Sequence, residues 1–203
     1  MKKIPSLFQR NYDTDHLVRD EIVPGCEWVV AGEGIATRKW DGLCVMIRDG
    51  KLYKRYELKP NKTAPQDWEP ADERDEVTGR QTGWIPVKEV NSSLEDRYML
   101  EGMVKYGTSR KNGTYEFIGP KSQGNAENFP YHWLILHGNS VTMGSTGDCS
   151  LRDGPVPRTF EGLKTYLAEE DVEGIVWHHP DGRMVKIKGK DFGIKRPRFI
   201  SGE

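Results

Sequence analysis

Three short motifs place charged side chains at spacings that suit the chemistry of a phosphate group. The first is Lys39-Trp40-Asp41-Gly42, between two predicted strands. A lysine amine can attack the α-phosphate of a nucleotide once it is neutral, and neighbouring cations and partial desolvation favour the neutral form. The motif also suits an ordinary turn, because Asp-Gly is a common hairpin dipeptide and lysine is a normal exposed neighbour. Taken by itself, the motif leaves both interpretations open.

The second and third motifs lie on either side of a predicted hairpin turn. Glu173-Gly174-Ile175-Val176-Trp177 opens one strand, and Val185-Lys186-Ile187-Lys188 lies in the next. Strand alternation places Lys186 and Lys188 on the same face. Two adjacent ammonium groups repel each other unless an anion lies between them, and a triphosphate is such an anion. The alternatives are two solvated lysines on an outer face and, for Glu173, an ordinary charge at a sheet edge.

The elements that must position these residues are short strands separated by turns. Asp49-Gly50, Asn112-Gly113 and Asp181-Gly182 are hairpin signals. The predicted strands are 27–32, 34–39, 43–48, 52–57, 98–106, 114–118, 131–137, 174–178 and 183–188. The polar segment 60–83 is predicted to be a long surface loop or an excursion that folds over another part of the chain.

One clear helix is predicted over 157–170. Phe160, Leu163 and Leu167 recur at helical spacing, and Thr159 is a suitable N-cap. Many antiparallel hairpins with one or two helices indicate an α+β fold with mostly antiparallel sheets. Because the composition shows no break, we expect a single domain over residues 1–203.

The charge distribution is more informative than the net charge of -1. Residues 66–76 contain six carboxylates and one arginine, whereas residues 184–198 contain six basic side chains and one aspartate. A basic segment in a neutral protein indicates a local anion site, such as one for phosphates, or a solvated tail.

Composition also excludes some classes of protein. No run approaches the roughly 18 apolar residues of a membrane span, and no apolar stretch follows the charged N-terminus, so we expect neither a transmembrane segment nor a secretory signal. The three cysteines, Cys26, Cys44 and Cys149, are too few and too scattered for a disulfide framework or a zinc site. A reducing, cytoplasmic location is therefore predicted.

The order of the motifs resembles that of the covalent nucleotidyltransferase superfamily of polynucleotide ligases and capping enzymes. Lys39-Trp40-Asp41-Gly42 resembles the first motif of that superfamily, Glu116 the third, Glu173 the fourth, and Lys186 with Lys188 the fifth. The combination is far more specific than its parts.

Longer stretches resemble a family of small 5′-to-3′ RNA ligases that includes a vertebrate cytosolic enzyme. These stretches are residues 55–62, residues 116–120 with 124–125, and residues 173–178, with further similarity at 83–87 and 134–138. The resemblance implies an ATP-grasp-like nucleotidyltransferase domain of the polynucleotide ligase type. Because 15 residues follow Lys188, we expect no C-terminal OB barrel, which favours an RNA ligase over a DNA ligase or a capping enzyme.

The resemblance implies a reaction in three steps. A lysine attacks ATP and becomes lysyl-AMP, AMP passes to an RNA 5′-phosphate, and a 3′-hydroxyl displaces AMP. Lys39 would be the nucleophile, and Lys186 and Lys188 would bind the α-phosphate. Glu173 would bind Mg²⁺, or Mn²⁺ in its place. Glu116 would accept hydrogen bonds from the ribose hydroxyls or support a metal.

The resemblance also implies contacts around the nucleotide. Arg55 would contact the ribose or an RNA phosphate, and Asp41 would support metal-bound water or the sugar. Arg38 and Gly42, beside and within the first motif, are expected to bind the nucleotide. The aromatic side chain that stacks on adenine is expected to be one of three, namely Phe129, Tyr131 and Trp133. The basic tail of Lys190, Lys195, Arg196 and Arg198 would orient pyrophosphate or bind the RNA backbone.

The function predicted from these residues is that of an ATP-dependent RNA ligase acting on RNA ends, expected to be a monomer. Two alternatives remain open. One is a guanylyltransferase or DNA ligase core that acts with a partner barrel. The other is a non-catalytic nucleotide- or RNA-binding module, although pure binding does not need a nucleophilic lysine.

Overall fold

A computed structural model describes residues 3–76, 78–90, 93–105, 111–137 and 155–196. The strands are, in chain order, β1 (Phe8–Arg10), β2 (Val18–Ile22), β3 (Ile35–Lys39), β4 (Leu43–Arg48), β5 (Lys51–Leu58), β6 (Glu69–Pro70), β7 (Gln81–Pro86), β8 (Gly113–Ile118), β9 (Trp133–Leu136), β10 (Gly174–His178) and β11 (Met184–Lys188). The helices are α1 (Glu27–Val30), α2 (Leu94–Lys105), α3 (Phe160–Glu169) and a 3₁₀ helix at Gly189–Phe192.

The chain forms two compact units. The described residues of one unit are 3–40 and 155–196, and we call it the lysine unit. The other unit consists of described residues between 41 and 137, and we call it the large-sheet unit. The boundary falls between Trp40 and Asp41, within the first motif. The expectation of a single functional domain stays a prediction.

The lysine unit is built on a three-stranded antiparallel sheet in the order β11-β10-β3. One face of this sheet is apolar, with Ile175, Trp177, Val185 and Ile187 almost fully buried. These side chains belong to a core cluster that also includes residues of α1 and α3. The predicted hairpin between 174–178 and 183–188 is confirmed.

Helix α3 confirms the prediction for its segment. The Thr159 hydroxyl accepts a hydrogen bond from Gly162 N–H at 3.3 Å, which satisfies one of the amide groups at the helix start. Leu163 and Leu167 are buried in the core of the lysine unit. The apolar residues whose helical spacing predicted this helix are therefore the ones that pack into the core.

The large-sheet unit contains a six-stranded antiparallel sheet in the order β6-β7-β5-β4-β8-β9. Asp49 and Gly50 join β4 to β5 with positive φ angles of 51° and 73°, as a tight hairpin turn requires. Helix α2 contributes Met99 and Met103 to a core cluster that includes Val45 from the sheet. Strand β6, which lies within segment 60–83, pairs with Gly83 and Trp84 in the middle of β7 and so extends the sheet.

Two predicted strands are wrong. Residues 27–32 contain the short helix α1, in which Trp28 and Val29 are both buried. Residues 98–106 belong largely to α2, so the predicted hairpin around Asn112 does not form with that segment. Each is a short apolar run, whose periodicity does not distinguish a buried strand from a helical segment.

The α+β class with mostly antiparallel sheets is confirmed. Across the described ranges the sheets are open, and none closes into a barrel. None of the helices in these ranges combines the length and the apolar character that a bilayer crossing requires.

Candidate active site

Three lysines share the polar face of the small sheet. Gly174 in the central strand β10 pairs with Lys39 of β3 on one side and with Lys188 of β11 on the other. We call Lys39, Gly174 and Lys188 the lysine row. Lys186 lies two residues before Lys188 and on the same face, opposite Val176. The predicted alternation of β11 is confirmed, because Val185 and Ile187 are buried.

Gly174 is required by the close approach of two backbones. A Cβ atom at this position would lie 2.1 Å from the carbonyl oxygen of Ile187 and 2.9 Å from the Cα atom of Lys188. Any larger residue would therefore displace β11, the strand that carries Lys186 and Lys188. The glycine lets β11 lie at its observed distance from β10.

Glu173 connects the two ends of the lysine row. One oxygen, Oε2, bonds to Lys39 Nζ, and the other, Oε1, accepts from Lys188 Nζ at 2.6 Å. Lys39 Nζ also donates to the carbonyl oxygen of Trp40 at 3.3 Å. The three charged side chains are only 13–19% exposed. The structure thus brings Lys39, Glu173 and Lys188 into direct contact.

The pKa values report a positive environment. Burial alone would raise the pKa of Glu173, but the charges of Lys39 and Lys188 outweigh it and lower the pKa. Burial and the Lys39 charge lower the pKa of Lys188 in spite of Glu173. Burial, Lys188 and Lys39 lower the pKa of Lys186 to about 8. Three ammonium groups and one carboxylate leave an excess of positive charge, which attracts anions such as phosphate.

Arg38 does not join the lysines. It pairs with Ile175 in the register of β3 and β10, so its side chain leaves the sheet on the face opposite Lys39. Its guanidinium carbon lies 4.4 Å from the centroid of the Trp40 ring, and Nη2 donates to the carbonyl oxygen of Asp171 at 3.2 Å. The expectation that Arg38 binds the nucleotide stays a prediction.

The basic tail is partly engaged within the lysine unit. Arg196 Nε donates to Asp171 Oδ1 at 2.8 Å. Lys190 and Lys195 are exposed, and Arg198 lies outside the described residues.

In the large-sheet unit, Glu116 has a fixed carboxylate. Its Oε1 accepts from Gly42 N–H at 3.1 Å, and its Oε2 lies 3.0 Å from His137 Nε2. Because a carboxylate only accepts hydrogen bonds, Nε2 of His137 carries the proton. The other ring nitrogen, Nδ1, lies 3.0 Å from the Thr114 hydroxyl. The sequence patterns did not single out His137, although it ends the predicted strand 131–137.

The first motif continues into this unit. Asp41 N–H donates to Glu127 Oε1 at 2.7 Å. A Cβ atom at Gly42 would lie 2.2 Å from the carbonyl oxygen of Phe117, so glycine is needed where β4 begins beside β8. The motif therefore supplies a backbone N–H to Glu116 as well as a lysine to the small sheet.

Arg55 and Glu116 flank Cys44 on one face of the large sheet. Cys44 is opposite Glu116 in the register of β4 and β8, and Arg55 of β5 lies close enough to influence the pKa of its thiol. Burial and the charge of Glu116 raise the pKa of Cys44 to about 11, although Arg55 acts in the opposite direction. A cavity of about 520 Å³ is lined by Gly42, Cys44 and Arg55, among other residues of this unit.

The three aromatic candidates pack against one another. The ring centroid of Tyr131 lies 5.7 Å from that of Phe129 and 5.6 Å from that of Trp133. The role of these rings in adenine stacking stays a prediction.

The lysine unit thus presents a partly buried cluster of cations suited to a phosphate-containing ligand. Proteins named RNA ligase 1 are similar to this chain over most of its length. The protein of Pongo abelii is 25% identical, and those of Rattus norvegicus and Mus musculus are each 24% identical, with every alignment covering 80% of this chain and 68% of the relative. No protein-family model matches the chain. The similarity supports an RNA-ligase-like function.

Proposed function

We propose that this protein is an ATP-dependent RNA ligase that joins 5′-phosphate and 3′-hydroxyl RNA ends through a lysyl-AMP intermediate on Lys39. The observation that carries the proposal is the direct contact of Lys39 with Glu173, which also binds Lys188. The similarity to proteins named RNA ligase 1 supports the choice of RNA as substrate.

In the first step the neutral Lys39 amine attacks the α-phosphorus of ATP. A phosphorus–nitrogen bond forms, the bond between the α-phosphorus and the oxygen bridging to the β-phosphate breaks, and pyrophosphate leaves with the electron pair. Before the attack, Lys39 changes from its ammonium to its neutral form. The proton passes to solvent, because Glu173, with its lowered pKa, is a weak base. Lys186 and Lys188 stabilise the negative charge on the non-bridging oxygens.

The later steps use the same cations. An oxygen of the RNA 5′-phosphate attacks the AMP phosphorus, and the bond to Lys39 breaks as its nitrogen takes back the electron pair and a proton from solvent. A 3′-hydroxyl then attacks the 5′-phosphorus and gives its proton to solvent, and AMP leaves with the electron pair. Each step is an in-line displacement in which Lys186 and Lys188 bind the charged oxygens.

Glu173, which contacts both ends of the lysine row, would offer an oxygen ligand to a magnesium ion. Mg²⁺ usually takes one or two carboxylates together with phosphates and water, and Glu173 offers such a carboxylate. Across the described parts of the chain, no group of three or more His, Cys, Asp or Glu side chains could hold a metal, so phosphate and water would complete the shell. When bound, the ion supplies Lewis-acid stabilisation of phosphate oxygens.

Residues of the large-sheet unit would take the roles that the resemblance implies. Glu116, with both oxygens fixed by Gly42 and His137, would accept hydrogen bonds from ribose hydroxyls. Arg55 would contact ribose or an RNA phosphate, since its planar fork suits phosphate oxygens. Asp41 would support the nucleotide sugar or the water around the metal.

The proposal is tested by covalent labelling. Incubation with ATP labelled at the α-phosphate, with Mg²⁺ or Mn²⁺, should give a protein-bound label that survives denaturation and is released by acid. Lys39→Ala should abolish the label. Lys164→Ala, at an exposed position of α3, should keep it and serves as the matched control.

Two further arms separate the alternatives. Labelling by GTP instead of ATP would favour a guanylyltransferase, and no label from either nucleotide would favour a non-catalytic module. A labelled protein should then seal RNA with a 5′-phosphate and a 3′-hydroxyl. A protein that sealed DNA and left RNA unjoined would contradict the choice of substrate.

A further inference from the structure

One buried carboxylate in the lysine unit takes no part in the proposed reaction. Asp191 lies in the 3₁₀ helix that follows β11 and is 3% exposed. Its Oδ2 accepts from the backbone N–H of Lys188 at 3.0 Å. Its Oδ1 forms an ion pair with the Arg10 guanidinium, from strand β1. Asp191 therefore connects the main chain of a lysine-row residue to a distant strand.

The turn closed by Asp191 also contacts Glu173, the carboxylate of the site. Gly189 N–H donates to the carbonyl oxygen of Glu173 at 3.0 Å. Consecutive amide groups, those of Lys188 and Gly189, are thus bonded to Asp191 and to Glu173. The conformation of this turn sets the backbone positions of both Lys188 and Glu173.

Aromatic contacts between Phe192 and the core also hold the turn in place. The ring of Phe192 lies 5.1 Å from that of Phe160 in α3 and 6.4 Å from that of Phe8 in β1, between centroids. The edge-to-face geometry of these pairs is favourable. The 3₁₀ helix is therefore bound to β1 through an ion pair and through ring packing.

The N-terminal segment also meets the second phosphate-binding lysine. Leu7 N–H donates to the carbonyl oxygen of Lys186 at 2.8 Å, and Lys186 N–H donates to that of Pro5 at 3.0 Å. Arg10 follows three residues after Leu7 and reaches Asp191. Residues 5–10 thus contact β11 at Lys186 by backbone bonds and beyond Lys188 by an ion pair.

We propose that Asp191 and Arg10 are a positioning pair that sets the lysine row for nucleotide attack, acting through the backbone of Lys188. They are positioning residues, because their side chains contact protein groups and the reacting phosphate would contact Lys188. The inference rests on the proposed function of the lysine row. A carboxylate suits this place because its two oxygens serve different partners, the backbone amide and the guanidinium.

A double-mutant cycle tests the inference on lysyl-AMP formation. Asp191→Ala should lower kcat/KM for ATP at least tenfold, mainly by raising KM, because Lys188 is displaced from the phosphate. Asp191→Asn should recover only part of the activity, since its amide oxygen can still accept from Lys188 N–H but its amide nitrogen cannot pair with Arg10. In the Lys188→Ala background, Asp191→Ala should change kcat/KM less than twofold. An effect as large as in wild type would overturn the inference.

A variant elsewhere in the same hairpin provides the matched control. Asp181 also accepts a backbone N–H, from Arg183 at 2.9 Å, and pairs with the Arg183 guanidinium, at the far end of β10 and β11. Asp181→Ala should leave the KM for ATP unchanged. A rise in KM equal to that of Asp191→Ala would assign both effects to general loosening of the hairpin and would overturn the inference.

Folding and function are separated by two further measurements. Circular dichroism gives the folded fraction of each variant, and should Asp191→Ala not fold, Arg10→Lys takes its place in the same cycle. A wild-type protein that takes up no label from ATP refutes the proposed function. The cycle is then measured by calorimetry on the binding of inorganic tripolyphosphate, where additive effects of the two substitutions, or no binding by wild type, would overturn the inference.

Discussion

The lowered pKa of Lys186 predicts an affinity for ATP that falls as the pH rises. Deprotonation of a lysine nucleophile would instead favour reaction at higher pH. The Lys186 pKa of about 8 lies below its ordinary value of 10.5, because burial, Lys188 and Lys39 disfavour the ammonium. A bound phosphate favours the ammonium, so nucleotide binding requires Lys186 to be protonated. We therefore expect the affinity for ATP, measured without divalent ions, to fall as the pH rises through 8.

The size of the effect follows from the protonated fraction of Lys186. With a pKa of about 8, the charged fraction falls from about nine-tenths at pH ~7 to about one-tenth at pH ~9. If the charged form binds and the neutral form does not, the Kd rises about tenfold over this interval. Lys188, whose pKa is also lowered, adds to the slope in the same direction.

The contribution of Lys186 to the stability of the fold should rise with pH, whereas the affinity for ATP falls. Between pH 8 and 10.5 the unfolded chain keeps a proton on Lys186 that the folded chain has released, so the contribution of this lysine to stability rises with pH. Binding weakens in this interval while that contribution grows. A general alkaline loss of structure would instead reduce both together.

Calorimetric titration with ATP at several pH values measures the slope directly. Lys186→Arg is the matched control, because arginine stays charged throughout this range and should leave a shallower slope. A wild-type Kd that is constant between pH ~7 and ~9, or an equal slope in Lys186→Arg, would refute the assignment of the effect to Lys186.

Three further substitutions test the geometry of the site. Glu173→Gln removes the carboxylate between two partly buried ammonium groups; the free energy of unfolding in urea should fall by about 2–4 kcal/mol, and an unchanged midpoint would contradict this ion-pair account. Gly174→Ala places a methyl group 2.1 Å from a carbonyl oxygen and should destabilise the fold by about 1–3 kcal/mol, whereas Gly189→Ala, whose Cβ would meet its nearest neighbour at 3.6 Å, should cost far less. His137→Ala removes the donor to Glu116 and should raise the KM for ATP, while His137→Gln should restore it; equal kinetics for the two variants would exclude the hydrogen bond as the cause.

Local patterns predicted the strands that carry the lysine row. Alternation in β11 and the Asp181-Gly182 turn are local signals, so β10, β11 and the shared face of Lys186 and Lys188 could be read from the sequence. The same alternation places the side chains of Arg38 and Lys39 on opposite faces of β3, because neighbouring residues of a strand point in opposite directions.

Helix α2 shows where local reading failed although a signal was present. The Ser93 hydroxyl accepts from Asp96 N–H at 3.1 Å, so a serine followed three residues later by an acidic residue marks the helix start. Met99 and Met103, four residues apart, pack on the sheet as a helical face. The apolar run 98–106 outweighed these signals in the prediction of a strand.

The contacts that arrange the candidate site could not be predicted from spacing. Arg10 and Asp191 are 181 positions apart, and Lys39 and Glu173 are 134 apart. Lys39 meets Glu173 because β3 is the neighbour of β10 in the sheet, and Arg10 meets Asp191 because β1 lies beside the 3₁₀ helix that follows β11. Neither neighbourhood is a local property of the sequence. His137 likewise meets Glu116 because β8 and β9 are neighbours.

The parallel bridge between Ser6 and Lys186 has a consequence for the solubility of the chain. β11 ends the order of its sheet, and the outermost strand of a sheet can pair with a second molecule through its unused amide and carbonyl groups. Residues 5–7 cover the amide and carbonyl groups of Lys186, and Pro5, which has no N–H, offers no donor for continuing the ladder. Removal of the first ten residues would expose the edge of β11 to pairing with a second molecule. The shortened chain should therefore aggregate with rising concentration.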